Sequence, residues 1–226
     1  MREPHRGPRA LAELRRALSS GASRWSAAQK RPPIPSGIAS IDAALGGGLP
    51  AGRVVELCGD AGRMSLALRL LASASRRGLC AFIDGSDALD AQAAQDLGVD
   101  LQRLLWARVR RPEDALRAAD ILLRAGGFLL LVLYLPGAGP LRTSAGTWQR
   151  LVQRGEHVGT ALLLVSDEPQ SGSAACATLS CRHQRVLWEP VPGGRSRLHG
   201  QRVALSVLRS RLGAPQQEVT PLWLQR

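Results

Sequence analysis

The stretch Gly52 to Arg77, GRVVELCGDAGRMSLALRLLASASRR, holds the residues whose types and spacing point most directly to chemistry, the cradling of a phosphate. Val54, Val55 and Leu57 form a short apolar run ending at Cys58, and Gly59 to Gly62 is a turn. Met64, Ala67, Leu68, Leu71 and Ala74 then recur at helical spacing. Strand, glycine turn and helix N-terminus together aim backbone N–H groups at an anion. A working loop of this kind separates its glycines by four residues, neutralises the terminal phosphates with a lysine and holds magnesium with a serine or threonine. Here only Asp60 and Ala61 separate the glycines, Arg63 stands for the lysine, Met64 takes the hydroxyl position, and Ser65 comes one residue late. Asp60 would point a negative charge at the phosphate, and the chain's single lysine, Lys30, lies far upstream. The expectation is a vestigial nucleotide loop built on Gly59, Gly62, Arg63 and Ser65. Weak nucleotide binding without turnover stays open, because a helix N-terminus is retained.

The elements that position this loop follow an alternating pattern. Strands are expected at Leu79–Asp84, Leu104–Val109, Phe128–Leu135 and Ala161–Ser166, with helices over Leu89–Leu97, Pro112–Arg124 and Thr147–Arg154. Pro112 suits a first helical turn, with Glu113 and Asp114 favourable at the positive end of the helix dipole. Phe128–Leu135 is apolar throughout, as a parallel strand covered on both faces should be. Three further runs, Thr178–Trp188, Gln201–Leu212 and Glu218–Leu224, are separated by Gly/Pro turns and read as antiparallel strands. The fold class expected is α/β: a mainly parallel central sheet flanked by helices, with antiparallel strands at the C-terminal edge. Residues 1–33 read as an amphipathic helix, with Leu11, Leu14 and Leu18 on one face, followed by a Pro-rich linker; residues 34–226 read as the core domain. Three leucines cannot make a core alone. That helix is expected to dock on its own domain or on a partner chain.

Bulk composition narrows the classes. An apolar fraction of 45% is ample for a core, and no window reaches the ~18 uninterrupted apolar residues of a membrane span. The N-terminus MREPHRGPRA opens on charges and prolines, unlike a secretory leader. Cys58, Cys80, Cys176 and Cys181 show no CxxC pairing, so small buried thiols in a reduced cytoplasmic protein, with no metal site, are expected. The net charge of +12 comes almost wholly from arginine and favours nucleic acid or an acidic protein surface. GC-rich coding and a solvated arginine coat would account for the same number.

Taken together, IPSGIASIDAALGGGLPAGRVVELCG, CAFIDGSDALDAQAAQDLGVDLQRLLWARV, FLLLVLYL and VALSVLRSRLGAP, in that order, resemble the RecA recombinase core over roughly residues 34–224. The resemblance implies that Ser86 stands where such ATPases carry the glutamate that orients water, and that Tyr134 replaces the magnesium aspartate. Asp84 is retained and Asp87 is adjacent, but neither occupies the glutamate position. With the loop lysine also gone, three parts of phosphoryl-transfer chemistry are missing, which implies a pseudo-ATPase that uses no cofactor. Arg209 and Arg211 match a basic pair that reaches a nucleotide across the recombinase filament interface; here they are either a remnant of that interface or an edge kept soluble by charge. The loops after Leu135 and Ser166 are short, the second opens with two acids, and Arg142 is the residue in them placed to touch phosphate or DNA.

Among degenerate relatives of that core, the chain is most similar to the ImuA-type family of translesion-synthesis-associated proteins, grouped with SulA-like division inhibitors. That resemblance implies a non-catalytic accessory role in the bacterial DNA-damage (SOS) response, in the cytoplasm or at the nucleoid. Its partners would be RecA and the complex of ImuB with an error-prone DNA polymerase, and capping of a recombinase filament is the mechanism it suggests. A divergent DNA-dependent ATPase using Arg63 with Asp84 or Asp87, and a division inhibitor, are the alternatives. Weak DNA binding through arginines can accompany any of them.

Overall fold

The computed structural model describes residues 31–139, 141, 143–212 and 218–225, the last of these by backbone alone. Leu11, Leu14, Leu18 and Arg142 therefore lie outside the described residues. In chain order the elements are α1 (Ala39–Ala44), β1 (Val54–Gly59), α2 (Arg63–Ser75), β2 (Leu79–Asp84), α3 (Ala91–Asp96), β3 (Leu104–Arg108), α4 (Pro112–Ala125), β4 (Phe128–Tyr134), α5 (Ala145–Val158), β5 (Ala161–Val165), β6 (Ala177–Val191), β7 (Arg195–Ser210) and β8 (Glu218–Gln225).

The strands make one eight-stranded sheet in the order β3-β2-β4-β5-β1-β6-β7-β8. The five pairings from β3 to β6 are all parallel, and β6–β7 and β7–β8 are antiparallel. Thr178–Trp188, expected only as part of an antiparallel edge, is thus also the last parallel strand: Val55 to Gly59 of β1 pair with Ala177 to Cys181. One core lies under α1, α2 and α3, built on Val55, Leu57, Leu71, Phe82 and Leu130, and the other lies under α4 and α5, built on Val54, Ile83, Leu131 and Trp148. Residues 130–134 alternate between the two cores. This is why that run carries no polar residue.

Local chemistry accounts for the boundaries. Asp90 caps α3 by accepting from the Gln92 and Ala93 N–H groups, and α4 opens on Pro112 and closes at Gly126. α5 is longer than expected because nothing in Ala145–Thr147 stops it and it continues to Gly159, which takes the left-handed conformation that ends a helix. The Gly37–Pro50 stretch holds only six helical residues; Asp42 folds the turn before them by accepting from the Ser36 N–H and hydroxyl, each at 2.7 Å. At the far end of the sheet the Arg31 guanidinium donates to the Phe128 and Gly159 carbonyls and fixes the incoming chain there. Burial lowers its pKa.

The largest difference from expectation is the β6–β7 hairpin. Both strands run on to a tip at Pro192–Gly194, so β7 begins at Arg195, not Gln201. Pro190 and the polar run to Gly200 suggested a loop. Cross-strand pairing overrides that local composition.

Candidate functional site

The carboxyl ends of parallel strands, where neighbouring connections diverge, are the usual place for a ligand in such a sheet. The loop Gly59–Gly62 leaves β1 there, between the end of β5 and the Cys181 region of β6. Gly59 has φ of 117°, its N–H donates to the Asp167 carbonyl, and the Asp60 N–H donates to the Cys181 carbonyl, each at 3.0 Å. The Asp60 carboxylate accepts from the His183 N–H at 2.8 Å. This acid therefore faces β6 backbone and helps weld the shortened loop to the next strand. Gly62, at φ 72°, opens α2 with no side-chain cap.

Arg63, the first residue of α2, does not reach into solvent. Its side chain is only 12% exposed, and its guanidinium donates to the Asp167 carboxylate at 2.5 Å. The other oxygen of Asp167 accepts from the Gly137 N–H at 2.6 Å. One carboxylate thus joins the start of α2, the loop after β4 and the loop after β5. Burial alone would raise the pKa of Asp167, but the hydrogen bonds from Arg63 and Gly137 outweigh it and hold it below the ordinary carboxylate value. Tyr134 ends β4 beside them, 7% exposed and stacked on Phe82 at 5.6 Å between ring centroids. Burial and the negative Asp84 and Asp167 push its hydroxyl pKa up, against the opposing effect of Arg63.

Asp84 is fully buried, and its two oxygens accept from the Ser86, Ala88 and Leu89 N–H groups, the Ser86 hydroxyl and the Trp106 indole N–H. It is the cap of its own turn. Ser86 is exposed at that turn, and Asp87, at φ 54°, pairs with Arg108, which in turn lies 3.9 Å over the Trp106 ring. Ser65 is half-buried in the first turn of α2. Gly59, Gly62, Arg63, Ser65, Ser86 and Tyr134 are therefore gathered at one end of the sheet. No group of three or more His, Cys, Asp or Glu able to hold a metal ion occurs among the described residues.

Arg209 and Arg211 lie elsewhere. Arg209 sits opposite Thr178 near the start of β6, at the end of β1 away from the loop. Its guanidinium donates to the Gly172 and Ala175 carbonyls, and that of Arg211 donates to the Ser173 carbonyl at 2.8 Å. Neither sits on a free sheet edge, since Arg209 is paired within β7 and Arg211 follows it; both secure the turn at Gly172–Ala174. Beside that turn, a cavity of about 860 Å³ is lined by Arg53, Trp148, Gln170, Cys176 and Arg211.

Two residues that matter here were not picked out as site residues from sequence. Glu56, fully buried in the apolar strand β1, accepts from the Gln170 N–H at 2.5 Å, the Ser171 N–H at 3.0 Å and the Ser171 hydroxyl at 2.8 Å. A lone acid between Val55 and Leu57 was the available signal. Asp167 was legible only as one of two acids opening a loop.

The Arg63–Asp167 pair has a testable pH signature. With the folded pKa of Asp167 depressed, its contribution is present above the unfolded value of about 4 and is lost as pH falls through the lower folded value. Asp167 is half exposed, so the contribution is expected to be at most about 1 kcal/mol after solvent screening. Urea midpoints measured from about pH 5 downward should fall less steeply in Asp167→Asn than in the parent.

A parallel sheet with a glycine loop leading from β1 into α2 defines a core of the phosphate-loop class. Within that class, residues 14–138, just over half of the chain, match the RecA N-terminal domain, and the chain belongs to that family. It is similar to protein RecA of Clavibacter michiganensis subsp. michiganensis, 41% identical over 131 residues, 55% of this chain and 36% of the relative. Protein RecA of Brucella anthropi is 41% identical over 133 residues, covering 55% and 37%. That of Kineococcus radiotolerans is 42% identical over 131 residues, covering 55% and 38%. The match spans little more than a third of these relatives' length. No helix among the described residues is long and apolar enough to cross a membrane.

Proposed function

We propose that this chain is a non-catalytic RecA-like accessory protein of the bacterial DNA-damage response and translesion synthesis, of the ImuA type. It acts by binding RecA, the ImuB–error-prone polymerase complex, or both. The observation that supports the reading is the Arg63–Asp167 pair, which ties down the short loop at the end of a mainly parallel, RecA-like sheet. Nucleotide and magnesium do not suit these residues: the loop cation is already neutralised, Tyr134 fills the end of β4, and Asp84 is used by its own turn. Such a core keeps recombinase-like surfaces without depending on a nucleotide to order its loops.

A protomer of this kind can add to a RecA filament end and offer the next subunit a site that does not cycle. At a small fraction of the RecA concentration it is expected to slow filament extension on single-stranded DNA at least severalfold. Hydrolysis of ATP in the presence of single-stranded DNA should stay at the level of an Arg63→Ala control. Turnover abolished by Arg63→Ala would replace this reading with that of a divergent ATPase. Filamentous cells on overexpression, with the tubulin-like division protein co-purifying, would replace it with that of a division inhibitor.

A further inference from the structure

The β6–β7 hairpin extends beyond the sheet that carries it. β6 pairs with β1 only as far as Cys181 and with β7 alone from there: Arg182–Leu187 lie opposite Gly200–Ala204, a stretch of β7 that also pairs with β8, and Trp188–Val191 lie opposite Arg195–Leu198, beyond the reach of β8. At the usual strand rise this ribbon is about 30 Å long. Residues 182–202 contain five arginines and a single acid, Glu189.

Register places those arginines together. Arg185 lies opposite Arg202, Glu189 opposite Arg197, Val191 opposite Arg195, and Arg182 opposite Ala204. Side chains alternate with period two and opposed residues share a face, so all five arginines are on one side of the ribbon. Trp188, 62% exposed, is on the other. Glu189 lies near the tip end of this row, accepting from Arg197 at 2.6 Å with His199 at 3.7 Å.

We infer that the arginine face of the β6–β7 ribbon binds the phosphate backbone of nucleic acid, without reading its sequence. A long row of guanidinium forks matches a ligand that repeats its charge along a line, and each fork can take a phosphate through two hydrogen bonds. An acidic protein surface presents no such regular row. The inference uses none of the residues of the phosphate-loop site, and its outcome is separate from whether the chain binds RecA or ImuB.

The test is fluorescence anisotropy of the full chain on a labelled 30-nucleotide oligothymidylate and a 30-base-pair duplex, between about 50 and 200 mM salt. The parent is expected to bind with affinity that falls steeply with salt. The triple variant Arg182→Ser, Arg185→Ser, Arg195→Ser should bind at least tenfold more weakly, with a log–log salt slope smaller by about 2–3. A control that removes the same charge from helices, Arg117→Ser, Arg124→Ser, Arg150→Ser, should change affinity less than twofold. Arginine-to-lysine changes at the three ribbon positions should retain most binding, which separates loss of charge from loss of fold. The inference is overturned if the parent does not bind, if the ribbon variant keeps the parent's affinity and slope, or if the helix control weakens as much. It is equally overturned if polyglutamate displaces the oligonucleotide at equal charge concentration, which assigns the face to an acidic protein.

Discussion

Replacing Gly59 with alanine is expected to cost more than about 4 kcal/mol and leave little folded protein. The added Cβ would stand 1.8 Å from the Cys181 carbonyl oxygen and 2.8 Å from the Cys181 nitrogen. That carbonyl cannot step aside, because it accepts from the Asp60 N–H at 3.0 Å, and Cys181 belongs to the register joining β1 to β6. The φ of 117° is strained for any residue with a side chain. Relief would mean parting β6 from β1, and with it the ribbon and the turn held by Arg209 and Arg211. Soluble yield and the urea midpoint measure the loss; a midpoint within about 1 kcal/mol of the parent would refute the packing described for this loop.

Glu56→Ala should be nearly as damaging, at about 3 kcal/mol or more, although the residue is not part of the phosphate-loop cluster. Its carboxylate is fully buried and takes two backbone N–H groups and a hydroxyl from Gln170 and Ser171. Alanine leaves those donors without an acceptor and opens a void beside them. Glu56→Gln should lose only about 1–2 kcal/mol, because one oxygen remains to accept and the Ser171 hydroxyl can turn to accept from the new amide. The ordering Ala well below Gln distinguishes a buried acceptor from mere bulk, and equal losses would contradict it. Since Glu56 anchors the crossover from β5 to β6, its removal should also free the turn bound by Arg209 and Arg211.

Most of the parallel sheet could be read from residue pattern, for reasons that the two cores make plain. Phe128–Tyr134 is buried on both faces and so is uniformly apolar, while Pro112 and Gly126 mark the ends of α4 through backbone preference alone. The ribbon resisted the same treatment. Its strands are held by each other and carry arginine, proline and glycine where a buried strand would carry valine and isoleucine, so composition suggested a loop at 189–200.

The candidate site divides in the same way. The short glycine spacing and Arg63 are local features and visible as such, whereas the partner of Arg63 lies 104 residues away in a loop. No periodicity encodes that pairing. It places the arginine that stands for the missing lysine in an ion pair with a loop on the other side of the site. Arg209 and Arg211 show the converse, two residues conspicuous in sequence whose described contacts are to the backbone of the Gly172–Ala174 turn.

The most direct test of the proposed accessory role is the binding of purified chain to immobilised RecA and to ImuB, with and without ATP and magnesium. Saturable binding to at least one of them, with an affinity unchanged by ATP and magnesium, is the predicted result. Binding to neither, or binding that this chain makes only when it holds nucleotide itself, would contradict a partner protein that works without a nucleotide.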